Sequence, residues 1–221
     1  MRRQLVAALL LLTSLPGIAS AQLTQVGSRG ALTGGTFNWT SIDPGSDLVV
    51  VGASASGVVG GVSFTVSRPA GDDMLLVNEG VDLDGMFASG ERILFSGFDE
   101  QPLTFSFASS ITGFGAAIQS NVFGPFIGRA EFFDGATSLG AVTVSATAAG
   151  GSTNTAPFLG ATSAAAFNRV VVSAPVNGAA GLAMNAFSIQ RSTVVPEPST
   201  CALLGTGLIA LVAVARRQSQ C

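Results

Sequence analysis

Apolar and polar residues alternate with a period of two along the middle of the chain. Phe37 and Trp39 alternate with Thr36, Asn38 and Thr40. Val62, Phe64 and Val66 alternate with Ser63, Thr65 and Ser67. Leu103, Phe105 and Phe107 alternate with Thr104 and Ser106, and Val142 and Val144 with Thr143 and Ser145. Successive side chains of a strand point to opposite faces, so each run predicts a strand with one apolar face and one hydroxyl face. Val170-Val171-Val172 is continuously apolar and predicts a strand buried on both sides. Turn signals separate the runs: Asp43-Pro44-Gly45, Arg68-Pro69, Gln101-Pro102, Asp134-Gly135, Ala174-Pro175 and Asn177-Gly178. No long amphipathic helix is present. Residues 161–166 (ATSAAA) favour helix by propensity but are too few to form one unaided. The pattern predicts an all-β fold, an antiparallel β-sandwich, jelly-roll-like, of about ten to twelve strands. The weakly patterned stretch 22–60 reads as an edge hairpin rather than core. Residues 145–157 (SATAAGGSTNTAP) read as a mobile loop.

The two ends break this pattern. Residues 1–21 carry Arg2 and Arg3, an apolar run from Leu5 to Leu12, the helix breakers Pro16 and Gly17, and the small-x-small sequence Ala19-Ser20-Ala21. Basic region, short apolar helix and cleavage site in this order predict a secretory signal peptide, with Ala19 and Ala21 read by signal peptidase and the cut before Gln22. At the other end, Ala202 to Ala215 is an uncharged apolar run followed at once by Arg216 and Arg217. Its 14 residues would reach about 21 Å as a helix, short of a bilayer core. Starting the helix at Thr200, so that it covers 200–215, and letting the arginines snorkel make a marginal transmembrane span. The arginine pair keeps the tail cytoplasmic. Cys201 and Cys221 flank this span and could not reach one another across it.

The segment Pro196-Glu197-Pro198, the apolar helix and the basic pair together resemble the PEP-CTERM sorting signal of exported proteins in exopolysaccharide-making Gram-negative bacteria. The residues Gln218 to Cys221 beyond the basic pair depart from its usual shorter ending. The resemblance implies recognition by exosortase, cleavage near the motif, and transfer of the body to the cell envelope, cell surface or extracellular matrix. The expected organisation is therefore a signal peptide (1–21), a β-sandwich domain (22–193) and a sorting signal (194–221). The membrane would be met only through the C-terminal helix before processing.

Composition narrows the chemistry. The chain has no His, no Tyr, and no Lys among its ten basic residues. This excludes imidazole bases, Schiff bases and His-bearing zinc sites. Residues 22–195 carry 6 Arg against 12 Asp and Glu, a net charge of −6. Such a surface argues against nucleic acid as a partner.

The body also resembles a module that recurs between a signal peptide and a PEP-CTERM tail. The segments that carry the likeness are Gly85 to Leu94, Pro102 to Phe107, Thr112 to Gln119, Phe123 to Phe126, Ala130 to Asp134, Pro157 to Gly160 and Gly181 to Asn185, in that order. The resemblance implies a secreted jelly roll and supplies no catalytic residues.

Candidate chemistry is sparse. Asp82 and Asp84, with Asn78, Glu79 and Glu91 nearby, are the best-placed oxygens for a structural Ca²⁺, although the spacing fails as an EF-hand because Met86 and Ile93 fall on ligand positions. The preferred alternative is a solvated acidic turn. Asp99-Glu100 and Glu131/Asp134 are the carboxylates that a hydrolase would have to use, and solvent-facing hairpin charge is preferred there too. Trp39 is read as core or edge packing rather than a sugar-stacking platform. Outward Ser and Thr suggest an ice-binding face, but no sequence repeat supports one. The expectation is an exported, non-enzymatic, structural or adhesive surface protein associated with exopolysaccharide or biofilm. A lectin-like carbohydrate-binding module is the alternative, and a carboxylate-dependent hydrolase the third reading.

Overall fold

The computed structural model describes residues 23–45, 47–69, 73–98, 101–174 and 181–192. The chain divides into two compact units, Met1–Arg191 and Ser192–Cys221, and every strand described below belongs to the first. Ala19 and Ala21 lie outside the described residues, as do Pro196, Glu197, Pro198, the helix expected over 200–215, and Arg216 and Arg217. Among the described residues, no helix is long and apolar enough to cross a membrane.

The fold is all-β. Its strands are β1 (Leu23–Gln25), β2 (Gly35–Phe37), β3 (Val49–Gly52), β4 (Ser54–Val59), β5 (Val62–Ser67), β6 (Met74–Asn78), β7 (Arg92–Phe95), β8 (Leu103–Ser120), β9 (Gly124–Asp134), β10 (Thr137–Ala148), β11 (Phe158–Ser173) and β12 (Leu182–Arg191). Short 3₁₀ turns occupy Arg29–Ala31 and Trp39–Ser41. The strand pairings are antiparallel, and hydrogen bonds join the strands into one continuous twelve-stranded sheet.

Two long strands fold that sheet back on itself. Residues 103–107 of β8 pair with β5 and with residues 169–172 of β11. Residues 111–120 pair with β12 and with residues 158–162 of β11. The β8/β11 register shifts between Thr162 and Phe167 and again before Arg169. Bulges of this kind let a strand leave one layer and enter the next. One layer is thus β4-β5-β8-β11-β9-β10. The other is β3-β6-β7-β12-β8-β11, with β2 also on β12 and β1 on β11.

Alternation sends Ala55, Val59, Val62, Phe64 and Val66 inward from β4 and β5, and leaves Ser54, Ser56, Val58 and Ser63 exposed. The inward residues meet an aromatic cluster from the other layer. Phe187 is in ring contact with Phe37, Trp39, Phe64, Phe105 and Phe114 at centroid distances of 4.9–5.7 Å. The turn from β4 to β5 is Gly60-Gly61, with φ +55° and +82°, the two-residue hairpin geometry that glycine permits. A Cβ at Gly60 would also lie 1.9 Å from the Gly34 carbonyl.

Five expectations change. Residues 22–60 are not an edge outside the core, because Phe37 is 5% exposed and Trp39 is fully buried. The alternation stops after Phe37, where Asn38 caps the Trp39–Ser41 turn by accepting from Thr40 N–H at 3.1 Å. Residues 161–166 are strand, since cross-strand pairing with β1 and β8 overrides alanine's helical preference. Val171 is half-buried between Thr104 and Glu131 on the outward side, while Val170 and Val172 are buried. Residues 145–148 belong to β10, and residues 152–156 are held by backbone bonds from Ser152, Asn154, Thr155 and Ala156 to the carbonyls of Gly85, Phe87 and Met86.

Phe187→Ala would open a cavity at the centre of the cluster, a loss of about 3–5 kcal/mol. Thermal unfolding followed by circular dichroism should show Tm lowered by about 6–20 °C.

Candidate functional site

Two surfaces collect the chain's polar chemistry. The first is the outer face of β4, β5 and β8. Strand register aligns Ser54 with Ser67 and Thr104, and Ser56 with Thr65 and Ser106. Ser56 Oγ and Thr65 Oγ1 lie 3.0 Å apart. Neighbouring strands are about 4.8 Å apart and alternate residues about 6.7 Å, so these six hydroxyls form a two-dimensional grid. A shallow depression of about 640 Å³ lies over one end of it, lined by Ser56, Val58, Ser63, Thr65, Ser106 and Ala108 among others. The grid bears no charge. Register continues the Ser56 row to Arg169 and Phe133, and the Thr104 row to Val171 and Glu131. There the Arg169 guanidinium covers the Phe133 ring at 4.1 Å.

The second surface lies on the outer side of β6, β7 and β12. The connection 79–91 crosses it, burying Phe87 against Val77, Ile93, Phe95 and Ala183. Residues 149–156 close over this connection. The side chains that join them are polar. Glu79 is fully buried, and its Oε1 accepts from Gly85 N–H at 2.7 Å and Ser152 Oγ at 2.9 Å. Gln119 Oε1 accepts from Met86 N–H at 2.6 Å, and its Nε2 donates to the Ala149 carbonyl at 3.4 Å. Burial is the main influence that raises the Glu79 carboxyl above its ordinary pKa, with the charges of Asp84 and Glu91 adding to it and the two hydrogen bonds opposing it.

Asn185 ties the neighbouring strands. Its Oδ1 accepts from Arg29 Nη2 at 2.9 Å and Ala117 N–H at 3.1 Å, and its Nδ2 donates to Glu91 Oε1 at 2.8 Å.

The structure separates the roles of the two aspartates singled out as cation candidates. Asp82 Oδ2 accepts from the Asn78 N–H at 3.0 Å, closing its own turn. Asp84 Oδ1 accepts from Gly151 N–H at 2.5 Å, bonding across to the other connection. Among the described residues, no three acidic or thiol side chains come together as metal ligands. Glu131 is taken by Arg129 at 2.7 Å and Ser138 at 3.0 Å, and the Arg129 bond holds its carboxyl below the ordinary range. Asp134 is exposed at the β9–β10 hairpin, and Asp99 and Glu100 lie outside the described residues. Trp39 is no platform: its Nε1 donates to the Asn185 carbonyl at 3.0 Å inside the core.

Gln119 and Asn185 went unmarked as site residues in the sequence. The available signal was a lone amide inside an apolar strand, as in AAIQS and LAMNA. Asn185→Ala would leave the Ala117 N–H without its acceptor and unlink Arg29 from Glu91. A loss of about 1–3 kcal/mol is expected, read as a fall in Tm of about 2–12 °C.

Residues 194–218 match the PEP-CTERM protein-sorting motif. That motif marks an exported protein sorted to the cell envelope or surface. No curated protein matches the chain. Among solved structures, the chain is distantly similar to a family 6 carbohydrate-binding module studied by binding sub-site dissection, with 13% identity and a TM-score of 0.34 over 66% of this chain and 95% of the module. It is similar also to CsCBM6-3 from Clostridium stercorarium in complex with cellobiose, with 17% identity and a TM-score of 0.29 over 55% of this chain and 88% of that one.

Proposed function

We propose that this is a non-catalytic surface or matrix protein, processed by exosortase, that adheres to extracellular polysaccharide through the hydroxyl grid of β4, β5 and β8. The observation that supports this reading best is the in-register row Ser56, Thr65 and Ser106 beside an open depression. Each hydroxyl both donates and accepts, as a sugar hydroxyl does. A flat, uncharged face suits an extended neutral chain more than a charged one. The body's net charge of −6 repels acidic polymers at long range, which adds to that preference. A hydrolytic role has less support, because Glu131 is committed to Arg129 and Ser138.

Binding is tested by affinity electrophoresis of the protein recovered from its producer, in gels containing neutral polysaccharide. Retardation is expected. The triple variant S56A/T65A/S106A should bind at least about tenfold more weakly, with Tm unchanged because all three side chains lie outside the core. Equal retardation of variant and wild type would reject the grid as the contact face.

Sorting is tested separately by intact-mass analysis of membrane, surface and medium fractions. The expected species begins at Gln22, ends near Pro196-Glu197-Pro198 and lies outside the inner membrane. A chain that retains Cys221 and is found only in the inner membrane would overturn exosortase processing.

A further inference from the structure

The junction of connections 79–91 and 149–156 leaves one oxygen unaccounted for. Glu79 is fully buried, yet its Oε2 has no hydrogen-bond partner. A buried carboxylate oxygen without a partner is costly. The nearby amide donor, Gln119 Nε2, is given to the Ala149 carbonyl instead. A Cβ built on Gly85 would lie 2.8 Å from Glu79 Oε2 and 2.9 Å from Gln119 Oε1, so both oxygens face the same small space. Gln119 presents its oxygen there because Met86 N–H and the Ala149 carbonyl fix the orientation of the amide. Gly85 brings no side chain into that space. These two acceptors form an oxygen-lined recess. The exposed Asp84 carboxylate, next to Gly85 in the chain and held by Gly151 N–H, adds negative charge that raises the Glu79 carboxyl.

We propose that Glu79 Oε2, Gln119 Oε1 and the Asp84 carboxylate take a divalent cation of the calcium class, which ties the connection 79–91 to β8. All three donors are hard oxygens, as calcium prefers, and its variable coordination tolerates a ligand set completed by backbone carbonyls and water. The chain has no His, and its two Cys lie in the sorting tail, so softer metals have no ligand here. The donors come from two separate parts of the chain, the connection 79–91 and β8. Bound cation would therefore add stability rather than merely neutralise one turn, and it would do so whether or not the hydroxyl grid binds polysaccharide.

The test is thermal unfolding of the exported protein after EDTA treatment and dialysis, with CaCl₂, with MgCl₂, or with NaCl at matched ionic strength. With the affinity usual for extracellular calcium modules, 5 mM CaCl₂ should raise Tm by about 2–9 °C, MgCl₂ should raise it less, and NaCl should leave it in place. Glu79→Gln retains the Oε1 acceptor and replaces Oε2 with an N–H aimed at Gln119. That variant should fold with a cation-free Tm at or above wild type and should not respond to CaCl₂. Asp84→Asn retains the bond from Gly151 N–H and should show a weakened response. A wild-type Tm that CaCl₂ moves no further than NaCl does would overturn the proposal. So would a Glu79→Gln variant that responds as wild type does.

Discussion

Phe187 touches rings from four other parts of the chain: the N-terminal segment through Phe37 and Trp39, β5 through Phe64, and both halves of β8 through Phe105 and Phe114. The last pair is the informative one. Phe105 and Phe114 lie on the same strand, nine positions apart, and their rings still meet at 5.0 Å. A straight strand would hold them about 30 Å apart. They meet because β8 bends from one layer into the other, and the aromatic cluster fills the angle of that bend. Burial of these rings is the interaction that makes the bend worthwhile, and the bend in turn creates two sheet faces with different outer surfaces.

Those outer surfaces follow from what lies beneath them. On β4, β5 and β8 the inward positions carry the large residues, so the outward positions are free to be small hydroxyls. On β6, β7 and β12 the outward positions Val77, Ile93, Phe95 and Ala183 are apolar and need a cover. The connection 79–91 supplies Phe87 for that purpose. Its polar residues are then drawn inward with it, and this is how Glu79 comes to be fully buried. Arg92 shows the same effect on β7: its side chain is 1% exposed and is paired with Asp43.

Much of this was legible in the sequence. Period-two alternation located β5, the first half of β8 and part of β10, and it assigned their hydroxyls to the outer face. The C-terminal sorting motif was legible because it is a linear signal. Strand register was not, and register is what places Thr65 between Ser56 and Ser106 rather than two residues away. The acidic stretch 78–91 was visible as charge, but its geometry depends on Gly151 and Ser152, 67 and 73 positions from their partners Asp84 and Glu79. Trp39 was legible as packing, but the Gly/Ser-rich flank made its stretch read as an edge hairpin, because composition averages over a window while packing acts on single side chains. The alternating run 36–40 also hid the 3₁₀ turn that follows Phe37.

The burial of Trp39 has an optical consequence. It is the chain's only tryptophan, and there is no tyrosine. Ultraviolet emission from the whole protein therefore arises from one indole, held between the N-terminal segment and β12 by its bond to the Asn185 carbonyl. This fluorophore senses water only when the segment carrying it leaves the core. Its spectrum is a reporter of that single docking event and is blind to whatever settles on the hydroxyl face on the far side of the sheet.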